Sequence, residues 1–118
     1  MIFRREVSTV FKAANVIMAP NADPARHRAS VKGDQFEYTM VVIPLFNFDR
    51  AAQVCKDLVE KEGVQSISLC PGFSHEGIAK VRSAVGEAFP INVSRGDVPS
   101  TMMTAQILSK EGWFPTGH

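Results

Sequence analysis

Apolar runs alternate with amphipathic segments along most of this chain. The clearest run is residues 37–45, in which positions 39–43 are apolar on both faces, as is typical of a buried central strand. Residues 13–18, 64–70 and 90–94 are shorter apolar runs bounded by turn residues, so they predict three further strands.

Helical spacing separates these strands. A first amphipathic helix is predicted from Asn47 or Asp49 to Gly63, and a second from the capping residue Ser74 to Gly86. Residues 100–111 predict a last helix, whose inward-facing side chains would be Met103, Ile107 and Leu108.

The segment after the first strand predicts a fourth, very short helix. Asp23 precedes Pro24, which is a common way to begin a helix because a capping side chain is followed by proline in the first turn. The helix would have only two turns, over residues 24–30. Because this connection is near the minimum length for a parallel crossover, it could instead join an antiparallel pair.

Strands that alternate with helices favour an α/β fold with one small, open and mostly parallel sheet of four strands. A flavodoxin-like arrangement is expected, with a ferredoxin-like split or half of a β/α barrel as alternatives. The 118 residues fit a single domain over residues 1–118, with residues 1–8 and 113–118 as flexible or interface tails.

Composition narrows the function classes. The formal net charge is +1 without a basic stripe, which argues against nucleic-acid binding. No apolar run is long enough for a membrane span, and the N-terminus does not resemble a signal peptide. Two cysteines do not form a disulfide framework, so free thiols and a cytoplasmic location are expected.

Two segments resemble the signatures of one family. Residues 19–28 read Ala-Pro-Asn-Ala-Asp-Pro-Ala-Arg-His-Arg, and residues 69–77 read Leu-Cys-Pro-Gly-Phe-Ser-His-Glu-Gly. They are similar to segments of prokaryotic proteins of about a hundred residues that are catalogued as a domain of unknown function. The resemblance covers residues 10–95 and implies an α/β fold with a site at the Cys-x-Gly-Phe turn. Pro71 and Ser74 stand where that family usually has glycine, and the chain's last twenty-odd residues depart from its usual Gly-rich ending.

Ligands of parallel α/β sheets bind outside the carboxyl ends of the strands, and the turn after the third strand is the best candidate there. A glycine-containing turn that leads into a helix offers free backbone N–H groups to an anion. We therefore expect a small anionic ligand, such as a phosphate or carboxylate, near this edge. The candidate ligand-binding residues are Gly72, Phe73, Ser74, His75, His27, Arg28 and Arg95.

Two other functions remain open. A small lyase or isomerase could use Cys70, His75 and Glu76 as catalytic groups. Alternatively, the chain could be an assembly protein without a site, since the apolar end with Met102, Met103 and Trp113 predicts a homo-oligomer, a dimer or larger. No metal site and no cofactor are expected, because the histidines are scattered and no phosphate-binding glycine motif occurs.

Overall fold

The computed structural model describes residues 10–114, which form one five-stranded sheet and three helices. The strands are β1 (Phe11–Ala19), β2 (Arg28–Lys32), β3 (Phe36–Pro44), β4 (Ser66–Leu69) and β5 (Ile91–Val93). The helices are α1 (Phe48–Glu62), α2 (His75–Val85) and α3 (Val98–Lys110). Of the tails expected at residues 1–8 and 113–118, only Trp113 and Phe114 lie within the described residues, and both are half-buried.

The strand order is β2-β3-β1-β4-β5. β1 pairs in parallel with β3 and β4, and β5 pairs in parallel with β4, so that Val16 lies beside both Val41 and Leu69. Without β2, the four parallel strands follow the second-first-third-fourth order of flavodoxin-like sheets. The expected α/β class with a mostly parallel open sheet is confirmed.

The helix predicted over residues 24–30 is wrong. The chain makes one turn after Asp23, whose carbonyl oxygen accepts from the backbone N–H groups of both Arg26 and His27. Residues 28–32 then form β2, which pairs antiparallel with β3 as a fifth strand at the edge of the sheet. Extended residues gain ladder hydrogen bonds from the free edge of β3, which a two-turn helix would not provide.

The core lies between the sheet and the pair α1 and α2. Val16, Val41 and Ile67 point from the sheet into this layer and are completely buried, together with Leu58 of α1 and Val81 of α2. α1 begins at the capping side chain of Asn47, which accepts from the backbone N–H of Arg50, and ends at Gly63 in the left-handed conformation. Its predicted apolar face is confirmed.

Both helices pack on the same face of the sheet because of the direction of the crossovers. The connections from β3 to β4 and from β4 to β5 run the same way across the sheet, so right-handed crossovers place α1 and α2 on one side. The connection from β1 to β3 runs the opposite way and would place a helix on the other side. That connection contains β2 instead, so no helix of residues 10–114 packs on the second face.

We call this second side of the sheet the open face. It consists of the strand residues that alternate with the buried positions: Phe11, Ala13, Asn15, Ile17, Ala19, Ala29, Val31, Phe36, Tyr38, Met40, Val42, Pro44, Ser66, Ser68 and Asn92. None of these residues is charged.

α3 leaves the edge of the sheet after β5 and has no buried residue. The prediction that Met103 and Ile107 face inward is wrong, since both are exposed, and Leu108 is half-buried. The helix itself is confirmed, with its first residue at Val98 rather than at position 100.

Candidate functional site

The carboxyl ends of β1, β3, β4 and β5 meet at one edge of the sheet, as parallel pairing requires. The segments that follow these strands are residues 20–27, 45–47, 70–74 and 94–97. They form the edge at which ligands of open α/β sheets bind.

The turn after β4 is held by its own hydrogen bonds and by one aromatic ring. The Cys70 N–H donates to the carbonyl of Val16 at 3.2 Å, and the Phe73 N–H donates to the carbonyl of Cys70 at 3.2 Å. The Phe73 side chain is only 2% exposed, and its ring centroid lies 5.4 Å from that of Phe48. Phe73, a candidate ligand residue, therefore anchors the turn in the core through its side chain.

Gly72 brings the backbone close to the end of β1. A Cβ at this position would lie 3.2 Å from the sulfur of Met18 and 3.6 Å from that of Cys70. The absence of a side chain thus lets the turn lie flat against the end of the sheet, with its backbone exposed to solvent.

The turn continues directly into α2. The Ser74 hydroxyl accepts from the Gly77 N–H at 3.1 Å and its carbonyl accepts from the Ile78 N–H at 2.9 Å, so Ser74 is the cap that the sequence predicted. Gly77 is required here because a Cβ would lie 2.5 Å from the Phe48 ring. His75 and Glu76 in the first turn of the helix are exposed.

Several backbone donors of this turn are unsatisfied. Among the described residues, no acceptor takes a hydrogen bond from the backbone N–H groups of Gly72, Ser74, His75 and Glu76. Donors at the start of an eleven-residue helix, together with the positive end of its dipole, favour an anion.

Arg95 lies beside this turn. It follows β5, the neighbour of β4, and the Ser94 N–H donates to the carbonyl of Leu69 at 2.9 Å, which joins the two loops. Neighbouring strands lie about 5 Å apart, so Arg95 begins one strand spacing from the turn. Its guanidinium is exposed and has no ion-pair partner within residues 10–114.

His27 and Arg28 lie elsewhere. They precede and begin β2, which is three strand spacings, or about 14 Å, from β4. The Nδ1 atom of His27 accepts from the Asp23 N–H at 2.8 Å, and Arg28 forms a bidentate pair with Glu62 at 2.6 and 2.9 Å. The seven candidate residues therefore separate into two groups, and only Arg95 lies close to residues 72–75.

The Arg28–Glu62 pair joins β2 to the end of α1. The hydrogen bonds from Arg28 lower the pKa of the Glu62 carboxyl and, reciprocally, raise the pKa of the Arg28 guanidinium. This engagement gives Arg28 a role in holding the edge strand to the helix layer.

The two thiols differ. Cys55 is completely buried on α1, where desolvation raises its pKa to about 12. Cys70 is half-buried at the end of β4. Among the described residues, Cys70, His75 and Glu76 make no side-chain hydrogen bonds with one another. The described residues therefore show no preformed contact between the Cys70 thiol and a base in this turn.

A feature that the sequence analysis missed is a depression of about 460 Å³ on the open face, lined largely by apolar atoms. The sequence of β1 and β3 could have indicated this surface, because their open-face residues, like their buried residues, carry no charge. Six of the lining residues are Ala13, Asn15, Ala29, Tyr38, Met40 and Ser68.

A family of unknown function (DUF6506) matches residues 11–109. The chain belongs to this family. The matched range includes both segments that suggested the resemblance and extends through nearly all of α3, beyond the end expected at residue 95. No curated protein and no solved structure matches the chain.

A metal site and a membrane-spanning helix were considered for the described residues. Within residues 10–114, no three His, Cys, Asp or Glu side chains are placed to share a metal ion. The helices of the same range are too short or too polar to cross a bilayer.

Proposed function

We propose that this protein binds a small anionic metabolite at the carboxyl edge of the sheet, between the turn at residues 70–76 and Arg95. The observation that supports the proposal is the set of backbone N–H groups at Gly72, Ser74, His75 and Glu76, which have no acceptor among the described residues and lie where the turn leads into an eleven-residue helix. A phosphate or carboxylate would accept from these donors.

Arg95 supplies the charge that backbone donors lack. Its guanidinium starts on the adjacent loop and is unpaired among the described residues, so it can reach an anion without breaking an existing ion pair. His75 is exposed in the same turn, and its imidazole N–H can donate a further hydrogen bond to the anion. The anion would thus lie between two loops that the Ser94–Leu69 hydrogen bond holds together.

Binding is favoured over catalysis at this edge. The thiol of Cys70 has no base in hydrogen-bond contact among the described residues, and Cys55 is buried in the core on α1. The two free thiols also support action in a reducing compartment, which is consistent with a cytoplasmic protein.

A titration with inorganic phosphate, monitored by calorimetry and by amide NMR, tests the proposal. Phosphate should shift the amide signals of residues 72–76, and Arg95→Gln should weaken binding by about tenfold or more because it removes a charge-assisted hydrogen bond. Arg26→Gln is the matched control, since Arg26 is an exposed arginine of the loop at the distant edge strand. Shifts outside this turn, or equal losses in both variants, would refute the site.

A further inference from the structure

We infer that α3 of one copy packs on the open face of a second copy, in a reciprocal dimer. Within residues 10–114, each chain has one sheet face and one helix that no other element covers, and the helix is not packed on that face. The inference does not depend on the proposed anion site, which lies on the adjacent edge.

The open face has the composition of an interior surface. None of its fifteen strand residues is charged, yet Tyr38 is 51% exposed and Met40 is 45% exposed. Parallel sheets are normally covered on both faces because their strands are apolar on both sides. Phe11 and Val31 of this face are exposed as well, and soluble monomers rarely expose a large contiguous apolar patch.

α3 has the matching composition. From Val98 to Ser109 it has no charged residue, and its first and only charge is Lys110. Val98 and Met102 lie on one side and Met103 and Ile107 on another, and all four are exposed. Apolar side chains on more than one side of a helix, with no charge before its last residue, favour packing of that helix against another surface.

α3 also belongs to the domain, since the family match extends to residue 109 and its helix ends at Lys110. The chain places it after the edge strand β5, where its residues are exposed while the open face stays uncovered. A second copy of the chain therefore offers an open face on which α3 can pack and an α3 that can cover the open face. Apart from Lys110 at the end of α3, neither surface carries a charged side chain, so their contact does not require a charged group inside the interface to lose its water.

The buried area of a stable dimer requires that both copies exchange their helices. α3 is about 20 Å long and about 10 Å in diameter, so half of its lateral surface is about 300 Å². One helix on one sheet that buries this half and an equal area of the sheet buries on the order of 600 Å² over both surfaces. That area is typical of a crystal contact, whereas two reciprocal contacts bury on the order of 1,200 Å², the lower end of specific interfaces. A two-fold dimer in which both helices are exchanged meets this requirement.

Light scattering on the full chain tests the dimer. The wild type should have twice the monomer mass of 12.9 kDa at micromolar concentration. Met40→Glu on the open face and Ile107→Glu on α3 should each raise the dimer dissociation constant at least about 100-fold, because each buries an unpaired carboxylate in the interface. Ser83→Glu is the control and should leave the mass unchanged, since Ser83 is an exposed residue of α2 on the other side of the sheet.

Mixing the two variants identifies the arrangement. A Met40→Glu chain keeps an intact α3, and an Ile107→Glu chain keeps an intact open face, so the mixture retains one of the two contacts. The mixture should therefore dimerise more tightly than either variant alone. A contact of sheet with sheet or helix with helix would leave one of the variants fully dimeric, which would overturn the inference.

Two other results would also overturn it. A wild-type monomer at all concentrations would mean that α3 folds onto its own sheet or that another partner covers the face, and a dimer insensitive to both variants would place the interface elsewhere. Circular dichroism should show native helix content for both variants, because both sites are exposed in the monomer. Val31→Glu and Met102→Glu, also exposed, replace either variant that does not fold.

Discussion

The two faces of the sheet are built from the same strands but have different surroundings. Val41 and Ile43 of β3 are completely buried under α1 and α2, whereas Tyr38 and Met40 of the same strand face outward and are about half exposed. Neither the buried pair nor the exposed pair carries a charged side chain, so charge does not distinguish the two faces. The comparison shows that apolar strand residues predict which surfaces of a sheet should be buried. They do not predict whether a helix of the same chain packs on each of those surfaces.

The largest expected difference between the two faces is in how much a substitution lowers the free energy of unfolding. Ile43→Ala should lower the free energy of unfolding by about 2–5 kcal/mol, because it leaves a cavity beneath the helices. Met40→Ala, three residues away, should change it by no more than about 0.5 kcal/mol in the dilute monomer. Urea unfolding of both variants at low protein concentration measures the difference, and equal losses would show that the open face is already covered within one chain.

The thiols provide a second comparison of a covered and an uncovered position. At pH 8 the buried Cys55, whose pKa is raised to about 12, should react with iodoacetamide at least about 1,000-fold more slowly than an exposed thiol. Cys70 should react first, so mass spectrometry should show one modification per native chain and two in denaturant. In Cys70→Ser the native chain should remain unmodified, and fast labelling of that variant would contradict the burial of Cys55.

Much of the covered face could be predicted from the sequence. The spacing of apolar residues in α1 and the caps at Asn47, Ser74 and Gly63 are local signals, and the structure realises each of them. Parallel order also followed from the alternation of strands and helices, because right-handed crossovers leave few other arrangements.

The errors occurred where local signals competed with distant partners. Asp23 and Pro24 are typical of a helix start, but only one turn forms before residues 28–32 pair with the free edge of β3. The separation of Arg28 from the turn at residues 70–76 followed from that error, because a strand at the far edge carries Arg28 to Glu62. Similarly, Met103 was expected to face inward because it is apolar, whereas it is exposed and no element of residues 10–114 covers it.

A third prediction concerns how closely α2 packs on the covered face. Gly77→Ala would place a Cβ 2.5 Å from the Phe48 ring, which must move from its contact with Phe73. The variant should lose about 1–3 kcal/mol of unfolding free energy, as is usual for overpacked cores. Ala79→Gly on the exposed side of α2 is the control for helix propensity, with an expected loss of about 1 kcal/mol. A Gly77→Ala protein as stable as the wild type would show that Phe48 moves freely.

The smallest expected effect concerns the bond between the edge strand and the covered face. Glu62→Gln removes the carboxylate that Arg28 binds, and since both side chains are about one third exposed, the loss at pH 7 should be less than about 1 kcal/mol. Arg28 lowers the pKa of Glu62 in the folded chain, so this contribution is present above the unfolded pKa and is lost as pH falls through the lowered folded pKa. The stability difference between wild type and Glu62→Gln should therefore shrink as the solution is acidified. Urea titrations over that range measure it, with Glu60→Gln as the exposed control on the same helix, whose difference should stay near zero at neutral pH. If the Glu62 difference grew on acidification, the pair would not hold β2 to α1, and the edge strand would depend on its backbone pairing with β3 alone.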